Sequence, residues 1–243
     1  MSNQTYQNAK NQSVTCKSGT PVKFDANGKV VSAVLASNAT YQNARNQSVT
    51  ALAGTEIDFF ATGNVFGATV ANNSTYQNAR NQSVTAQAGS RIDFFETGSV
   101  SGATVSSNST YQDARNQSVT ALAGSRIEFF AAGYVLSATV TSNSTYQNAR
   151  NQSVTVAAGA SIEFFANGYV LSATLASNST YQNARNQSVT ARAGSSIEFF
   201  ATGYVLSATV DSNSTYQNAI NQSVTVMAGH MIRFTDTGYV SLI

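Results

Sequence analysis

One period of 35 residues runs through the whole chain. The tyrosine of a "TYQ" triplet recurs at this spacing seven times, at Tyr6, Tyr41, Tyr76, Tyr111, Tyr146, Tyr181 and Tyr216. Self-similarity at a fixed period is the signature of a solenoid, a propeller or a repeat array. The sequence therefore predicts a single repeat domain over 1–243, with units of about 1–35, 36–70, 71–105, 106–140, 141–175, 176–210 and 211–243.

Each copy consists of short apolar stretches between clusters of small residues. In the fourth copy these stretches are "QSVTA", "RIEFF" and "YVLSATV", while "TYQNARN" is either a fourth short strand or an ordered loop. β-Branched and aromatic residues between Gly, Asn and Ser clusters are typical of strands. No stretch sustains a helical period of 3.6 residues. The pattern predicts an all-β fold.

Comparing the seven copies with one another identifies the expected core. A phenylalanine is constant, from Phe24 to Phe234, and the position two residues before it is always Val or Ile. Residues two apart on a strand share a face, so both should be buried. The valine series from Val30 to Val240 is also constant, and the glycine before it recurs as a turn with positive φ would require.

Three arrangements of seven such repeats are open. The period favours a β-solenoid, in which equivalent residues of successive copies stack directly. An extended hairpin-repeat sheet and a seven-bladed propeller are the alternatives. A row of carboxylates bears on this choice, at Asp58, Asp93, Glu128, Glu163 and Glu198. Direct stacking would set these like charges about 4.8 Å apart. The basic series that begins at Lys10 and Arg45 would offset the repulsion if the two columns lay side by side.

The sequence pattern "AG-x-x-I-x-F" followed by "G-Y-V-x-S-A-x-V" resembles two known kinds of repeat. One is the coat-hanger-like β-solenoid module of bacterial surface proteins, and the other is the hairpin repeat of the MORN and YwqK type. The resemblance covers about half of each unit and does not extend to "STYQNARNQ". It implies a scaffold or surface role rather than a catalytic activity.

The sequence offers little for catalysis. The single histidine, His230, occupies a turn position, and the single cysteine, Cys16, stands where other copies have a small apolar residue. No recurring His, Cys or carboxylate pair has metal-ligand spacing. We therefore expect neither an enzyme nor a cofactor. The net charge of +2 gives no electrostatic reason to expect a nucleic-acid partner.

Nothing in the sequence fixes the compartment. No apolar run approaches the length of a membrane span. The first residues carry no apolar signal core. We expect the cell surface or the extracellular space if a signal was removed from this chain, and the cytoplasm otherwise.

The leading functional hypothesis is a structural protein whose copies join end to end into a fibre or surface scaffold. Only 10% of the residues are charged, so copies repel one another weakly. Uncapped strand edges pair readily. The residues predicted to form the two assembly ends are Val14, Val22, Phe24, Phe234, Val240, Leu242 and Ile243.

The alternative is a multivalent carbohydrate-binding or adhesin module. Tyrosine and arginine recur in every "TYQNAR" and would form a ligand ladder of Tyr41, Arg45, Tyr76, Arg80, Tyr111, Arg115, Tyr146, Arg150, Tyr181 and Arg185. In a competing interpretation the tyrosines pack internally. Ice binding is a third hypothesis, because Ser and Thr of each "QSVT" share one strand face.

Overall fold

The computed structural model describes residues 2–241, and these form short strands and tight turns without a helix. We call the strands of each repeat its first to fourth strand. The first strands are β1 (Gln4–Gln7), β5 (Ala39–Gln42), β9 (Ser74–Gln77), β13 (Ser109–Gln112), β17 (Ser144–Gln147), β21 (Ser179–Gln182) and β25 (Ser214–Gln217). The second strands are β2 (Ser13–Cys16), β6 (Ser48–Ala51), β10 (Ser83–Ala86), β14 (Ser118–Ala121), β18 (Ser153–Val156), β22 (Ser188–Ala191) and β26 (Ser223–Val226).

The third strands are β3 (Val22–Phe24), β7 (Glu56–Phe59), β11 (Arg91–Phe94), β15 (Arg126–Phe129), β19 (Ser161–Phe164), β23 (Ser196–Phe199) and β27 (Met231–Arg233). The fourth strands are β4 (Val30–Val34), β8 (Val65–Thr69), β12 (Val100–Thr104), β16 (Val135–Thr139), β20 (Val170–Thr174) and β24 (Val205–Thr209). The prediction of an all-β repeat fold is confirmed.

The described residues form two compact units, one from 2–109 with 123–134 and the other from 110–122 with 135–241. In the first unit the third and fourth strands make a sheet of order β3-β4-β7-β8-β11-β12-β15. In the second unit they make the order β16-β19-β20-β23-β24-β27. The first and second strands of each repeat pair with each other as two-stranded hairpins such as β5–β6 and β21–β22. Isolated bridges such as Ala51–Val70 and Ala191–Val210 join the second strand to the residue after the fourth strand.

Among the three arrangements, the strand pairing is that of the extended hairpin-repeat sheet. Within each unit a third strand pairs antiparallel with the fourth strand of its own repeat, as β3, β7, β11, β19 and β23 do. The third strands after β3 also pair with the fourth strand of the repeat before, as β11 does with β8 and β19 with β16. Among the described strands, equivalent strands are therefore not direct neighbours, which differs from the stacking expected of a solenoid. The cause is local: the glycine turn after each third strand closes a hairpin and places a fourth strand between successive third strands.

The predicted core is confirmed, with one exception at the first repeat. Ile92 is fully buried, and it lies opposite Ala68 on one neighbouring strand and Ala103 on the other. The small alanines leave room for the branched side chain between them, which explains their recurrence. Only in the first repeat are the corresponding side chains uncovered, where Val22 is half-buried and Phe24 is 42% exposed.

Within each unit the hairpins pack on the sheet through aromatic pairs. In the first unit the ring of Tyr41 meets that of Phe59 edge to face, with 5.1 Å between centroids. In the second unit Tyr146 meets Phe164 in the same way at 5.2 Å. Such pairs add about 0.5–1.5 kcal/mol beyond the area they bury. The Tyr146 hydroxyl also donates to the Ser118 carbonyl of the preceding hairpin, at 3.3 Å.

Three carboxylates of the row on the outer sheet face, Asp58, Asp93 and Glu128, are neutralised differently from the sequence expectation. Arg91 bridges Asp58 at 2.7 Å and Asp93 at 2.8 Å, and Arg126 bridges Asp93 at 2.7 Å and Glu128 at 3.0 Å. The neutralising residues therefore lie on the third strands themselves. The basic column that begins at Lys10 and Arg45 lies elsewhere, on the hairpin turns.

Candidate interaction surfaces

The turn that joins the first and second strands is organised by one asparagine. Asn43 accepts hydrogen bonds from the backbone N–H groups of Arg45 and Gln47, each at 3.0 Å. Its amide nitrogen donates to the Gln47 side chain at 3.0 Å and to the Gly98 carbonyl at 3.2 Å. Gly98 belongs to the glycine turn of the following repeat. One side chain therefore both shapes its own turn and holds the next repeat.

This turn-to-turn contact is close enough to require glycine. A methyl group added to Gly98 would lie 2.5 Å from the Arg45 backbone nitrogen, and one added to Gly203 would lie 2.6 Å from that of Arg150. Both glycines also have positive φ. The predicted positive-φ turn is confirmed, and close approach gives a second reason for its glycine.

Four of the five arginines of the proposed ligand ladder stack on a different set of tyrosines. The guanidinium carbons lie 4.2–4.4 Å from the ring centroids in the pairs Arg80–Tyr134, Arg115–Tyr169, Arg150–Tyr204 and Arg185–Tyr239. In the second unit the same arginines donate to a glutamine of the next repeat, as Arg150 does to Gln182 at 3.1 Å. Sequence reasoning missed these pairs because their partners are 54 residues apart.

The tyrosines of that ladder do not line a surface. Tyr41, Tyr76, Tyr111, Tyr146 and Tyr181 are all between 1% and 2% exposed. Burial raises the pKa of the Tyr41 hydroxyl to about 12. The interpretation in which the tyrosines pack internally is therefore the one observed. A carbohydrate would not reach these rings, because the sheet covers them.

The first repeat has an open sheet edge. The third strand of every later repeat pairs with the fourth strand of the preceding one, whereas β3 has a partner only on its other side within residues 2–241. The exposed ring of Phe24 packs against that of Tyr6, with centroids 5.0 Å apart. A cavity of about 440 Å³ adjoins this edge and is lined in part by Tyr6, Cys16 and Val22.

The seventh repeat exposes the opposite half of the repeat-to-repeat contact. An apolar groove of about 300 Å³ is lined by Asn218, Ala219, Ile220, Thr235, Val240 and Ser241. Ile220 is 71% exposed and takes the place that arginine has in the five preceding copies. Exposed large apolar side chains concentrate in the first and last repeats, at Phe24, Ile220, Met227 and Met231, with Phe66 the other one described.

The remaining residues of the predicted assembly ends lie in different environments. Val14, Phe234 and Val240 are buried within the fold. Leu242 and Ile243 lie outside the described residues. The Val240 backbone N–H donates to the Gln217 carbonyl at 2.9 Å, which ties this segment to the last hairpin.

The single cysteine and histidine occupy the predicted environments. Cys16 is a buried free thiol beside the core, and His230 is an exposed turn residue. Within residues 2–241, no group of three or more His, Cys, Asp and Glu side chains is placed to hold a metal ion. The same residues include no helix that is long and apolar enough to cross a bilayer.

Threonine hydroxyls occupy the outer face of the hairpins. In each hairpin one threonine from each strand faces the other across the pair, as Thr40 and Thr50 do with 2.9 Å between hydroxyl oxygens. Ser48 on the same strand as Thr50 is exposed, so the predicted shared face of serine and threonine is present. The threonine hydroxyls bond to each other within each hairpin.

Comparison with known proteins adds no relative. No protein-family model matches the chain, and no curated sequence matches it. The resemblance to β-solenoid surface repeats and to MORN and YwqK hairpin repeats stays a prediction.

Proposed function

We propose that this protein is a structural repeat protein that assembles end to end, with the first repeat of one copy continuing the sheet from the seventh repeat of another. The supporting observation is the open edge of β3, the one described third strand that lacks a preceding fourth strand. An open edge presents unpaired N–H and C=O groups and pairs with other strands unless it is blocked.

The side chains at this edge favour association rather than protection. At positions equivalent to Phe24, the later repeats bury the ring to 5% exposure or less. Covering Phe24 in the same manner would bury apolar surface, which stabilises an association by about 25 cal/mol for each Å² removed from water. Lys23 is the charged residue of β3, and a single lysine is a modest block compared with the devices that protect natural edges.

The test is self-association of the purified chain, followed by sedimentation velocity and negative-stain microscopy. We expect wild type to form oligomers that lengthen with concentration. Phe24→Asp should raise the concentration needed for oligomer formation by about tenfold or more, because pairing at the β3 edge would bury the aspartate charge. A wild-type chain that stays single at high concentration would refute the proposal.

Phe66→Asp is the matched control for Phe24→Asp. Phe66 is 41% exposed and also packs edge to face on one ring, that of Phe60, at 5.1 Å. It lies on a fourth strand that is paired on both sides. We expect this variant to assemble as wild type does. Equal losses in both variants would indicate a general effect of surface charge.

A further inference from the structure

The end surfaces also carry a second contact, distinct from the sheet edge. Within each unit the glycine turn of one repeat docks on the asparagine turn of the repeat before, as Gly98 does on Asn43 and Gly203 does on Asn148. Six of these glycines are buried, but Gly28 of the first repeat is exposed and has no neighbouring atom within 4 Å of an added methyl.

The seventh repeat has the complementary asparagine turn, on which no glycine turn docks among the described residues. The amide nitrogen of Asn218 donates only to Gln222, at 3.3 Å, among the described residues. Its equivalents in five other repeats also donate to a glycine carbonyl of the next repeat, as Asn183 does to Gly238 at 3.1 Å. The apolar groove defined above lies at this unoccupied position.

We propose that the turn containing Gly28 of one copy docks in the Asn218–Ile220 groove of another copy, with the Gly28 carbonyl accepting from the Asn218 amide. This inference rests on the proposed end-to-end assembly and identifies its recognition element. The occupant is a second copy of this chain, because the same contact already joins successive repeats inside it.

Two substitutions in the repeat pattern fit this junction. In the second unit the arginine of the asparagine turn stacks on a tyrosine of the next repeat, as Arg150 does on Tyr204 at 4.2 Å. At the proposed junction the corresponding residues are Ile220 and Lys29. An arginine there would face a second cation, whereas isoleucine can cover the aliphatic stem of the lysine.

Lys29 already occupies the site that the arginine would need. Its ammonium donates to Asn11 at 2.8 Å and to Gln7 at 3.4 Å. Between successive repeats of one chain, the arginine of the preceding repeat donates to the equivalent acceptor, as Arg185 does to Gln217 at 3.1 Å. The first repeat thus supplies its own cation, and the seventh repeat supplies an apolar residue in place of one.

The first experiment compares two glycine variants by sedimentation velocity. Gly28→Asn should raise the concentration needed for association by about tenfold or more. Its Cβ would clash with the backbone of the asparagine turn in the other copy, as a Cβ at Gly98 or Gly203 would clash within the chain. Gly19→Asn is the control, because Gly19 also has positive φ and open space around it, and asparagine tolerates that conformation. Unchanged association of Gly28→Asn would overturn the inference.

The second experiment asks whether the internal pair can be restored at the junction. Ile220→Arg should weaken association by a similar factor, and adding Lys29→Tyr should restore it by recreating the arginine–tyrosine stack. Weak association of the double variant would contradict the proposed register. If the wild type assembles but none of these variants differs from it, the docking inference fails while the end-to-end assembly stands. If the wild type never assembles, both fail.

Discussion

At the scale of single residues, the most informative position is 113, where one repeat differs from the other six. Asp113 replaces the asparagine that organises every other turn. It is fully buried, and its Oδ1 accepts from the backbone N–H groups of Arg115 and Gln117 at 2.9 and 2.8 Å. Its Oδ2 and the Gln117 Oε1 are both buried without a hydrogen-bond partner. In repeat 5 the amide nitrogen of Asn148 stands in place of this Oδ2 and donates to the Gln152 Oε1 and to the Gly203 carbonyl.

We expect Asp113→Asn to stabilise the second unit. The amide would donate to Gln117 and to the Gly168 carbonyl, as Asn148 does to its equivalents. Satisfying buried acceptors should raise the free energy of unfolding by about 1–3 kcal/mol, measured by urea denaturation at pH 7. The reciprocal change Asn148→Asp should lower it by a similar amount. Stabilisation by both substitutions, or by neither, would contradict this account of the site.

The pH dependence of this effect has a definite sign. Burial raises the pKa of Asp113 above its ordinary 3.8, although the N–H groups of Gln117 and Arg115 and the charge of Arg115 oppose the shift. The folded state therefore holds the proton more tightly than the unfolded state. Stability should fall as pH rises from about 3.8 through the raised pKa. The gain from Asp113→Asn should be small at pH 3 and larger at pH 7, and a gain independent of pH would count against it.

At the scale of the structural element, the first hairpin turn depends on an asparagine with left-handed backbone. Asn151 has a φ of 57° and donates its N–H to the Asn148 carbonyl at 2.9 Å, and equivalent asparagines do so in every repeat. Asn151→Ala should lower the free energy of unfolding by about 1–2 kcal/mol, because a Cβ penalises this conformation. Asn151→Gly should cost much less. Thermal denaturation distinguishes the two, and equal losses would show that the side chain matters rather than φ.

The same element shows how far the sequence could be interpreted. Alternation placed Ile127 and Phe129 in the core, and constancy identified Gly133 as a turn, because burial and positive φ restrict a position whatever its neighbours. The role of "NARN" was missed, since one asparagine serves both its own turn and a glycine 55 residues away, as Asn78 does with Gly133. Strand order was also undetermined. A fixed period is equally consistent with direct stacking and with interleaved hairpins.

At the scale of the whole molecule, the two ends differ in charge as well as in shape. Within 1–35 there are four lysines and one aspartate, which gives +3, and within 211–243 there are one arginine and two aspartates, which gives −1 with histidine neutral. Unlike charges favour contact between first and seventh repeats over contact between two first repeats. The open turn and the groove are also different surfaces. Both features favour a heterologous interface, which can propagate without closing.

Heterologous contact makes a prediction that symmetric pairing does not. Gly28→Asn blocks the turn of a copy but leaves its groove intact, whereas Ile220→Arg blocks the groove but leaves the turn. Each variant alone should remain largely single. Mixed in equal amounts, they should form pairs and nothing larger. Each pair joins the wild-type turn of one variant to the wild-type groove of the other, and both remaining surfaces carry a blocking substitution. Sedimentation velocity of the mixture and of each variant separates the cases. Long oligomers in the mixture would show that other surfaces drive assembly, and a mixture that stays single would show that the sound turn and groove do not bind each other.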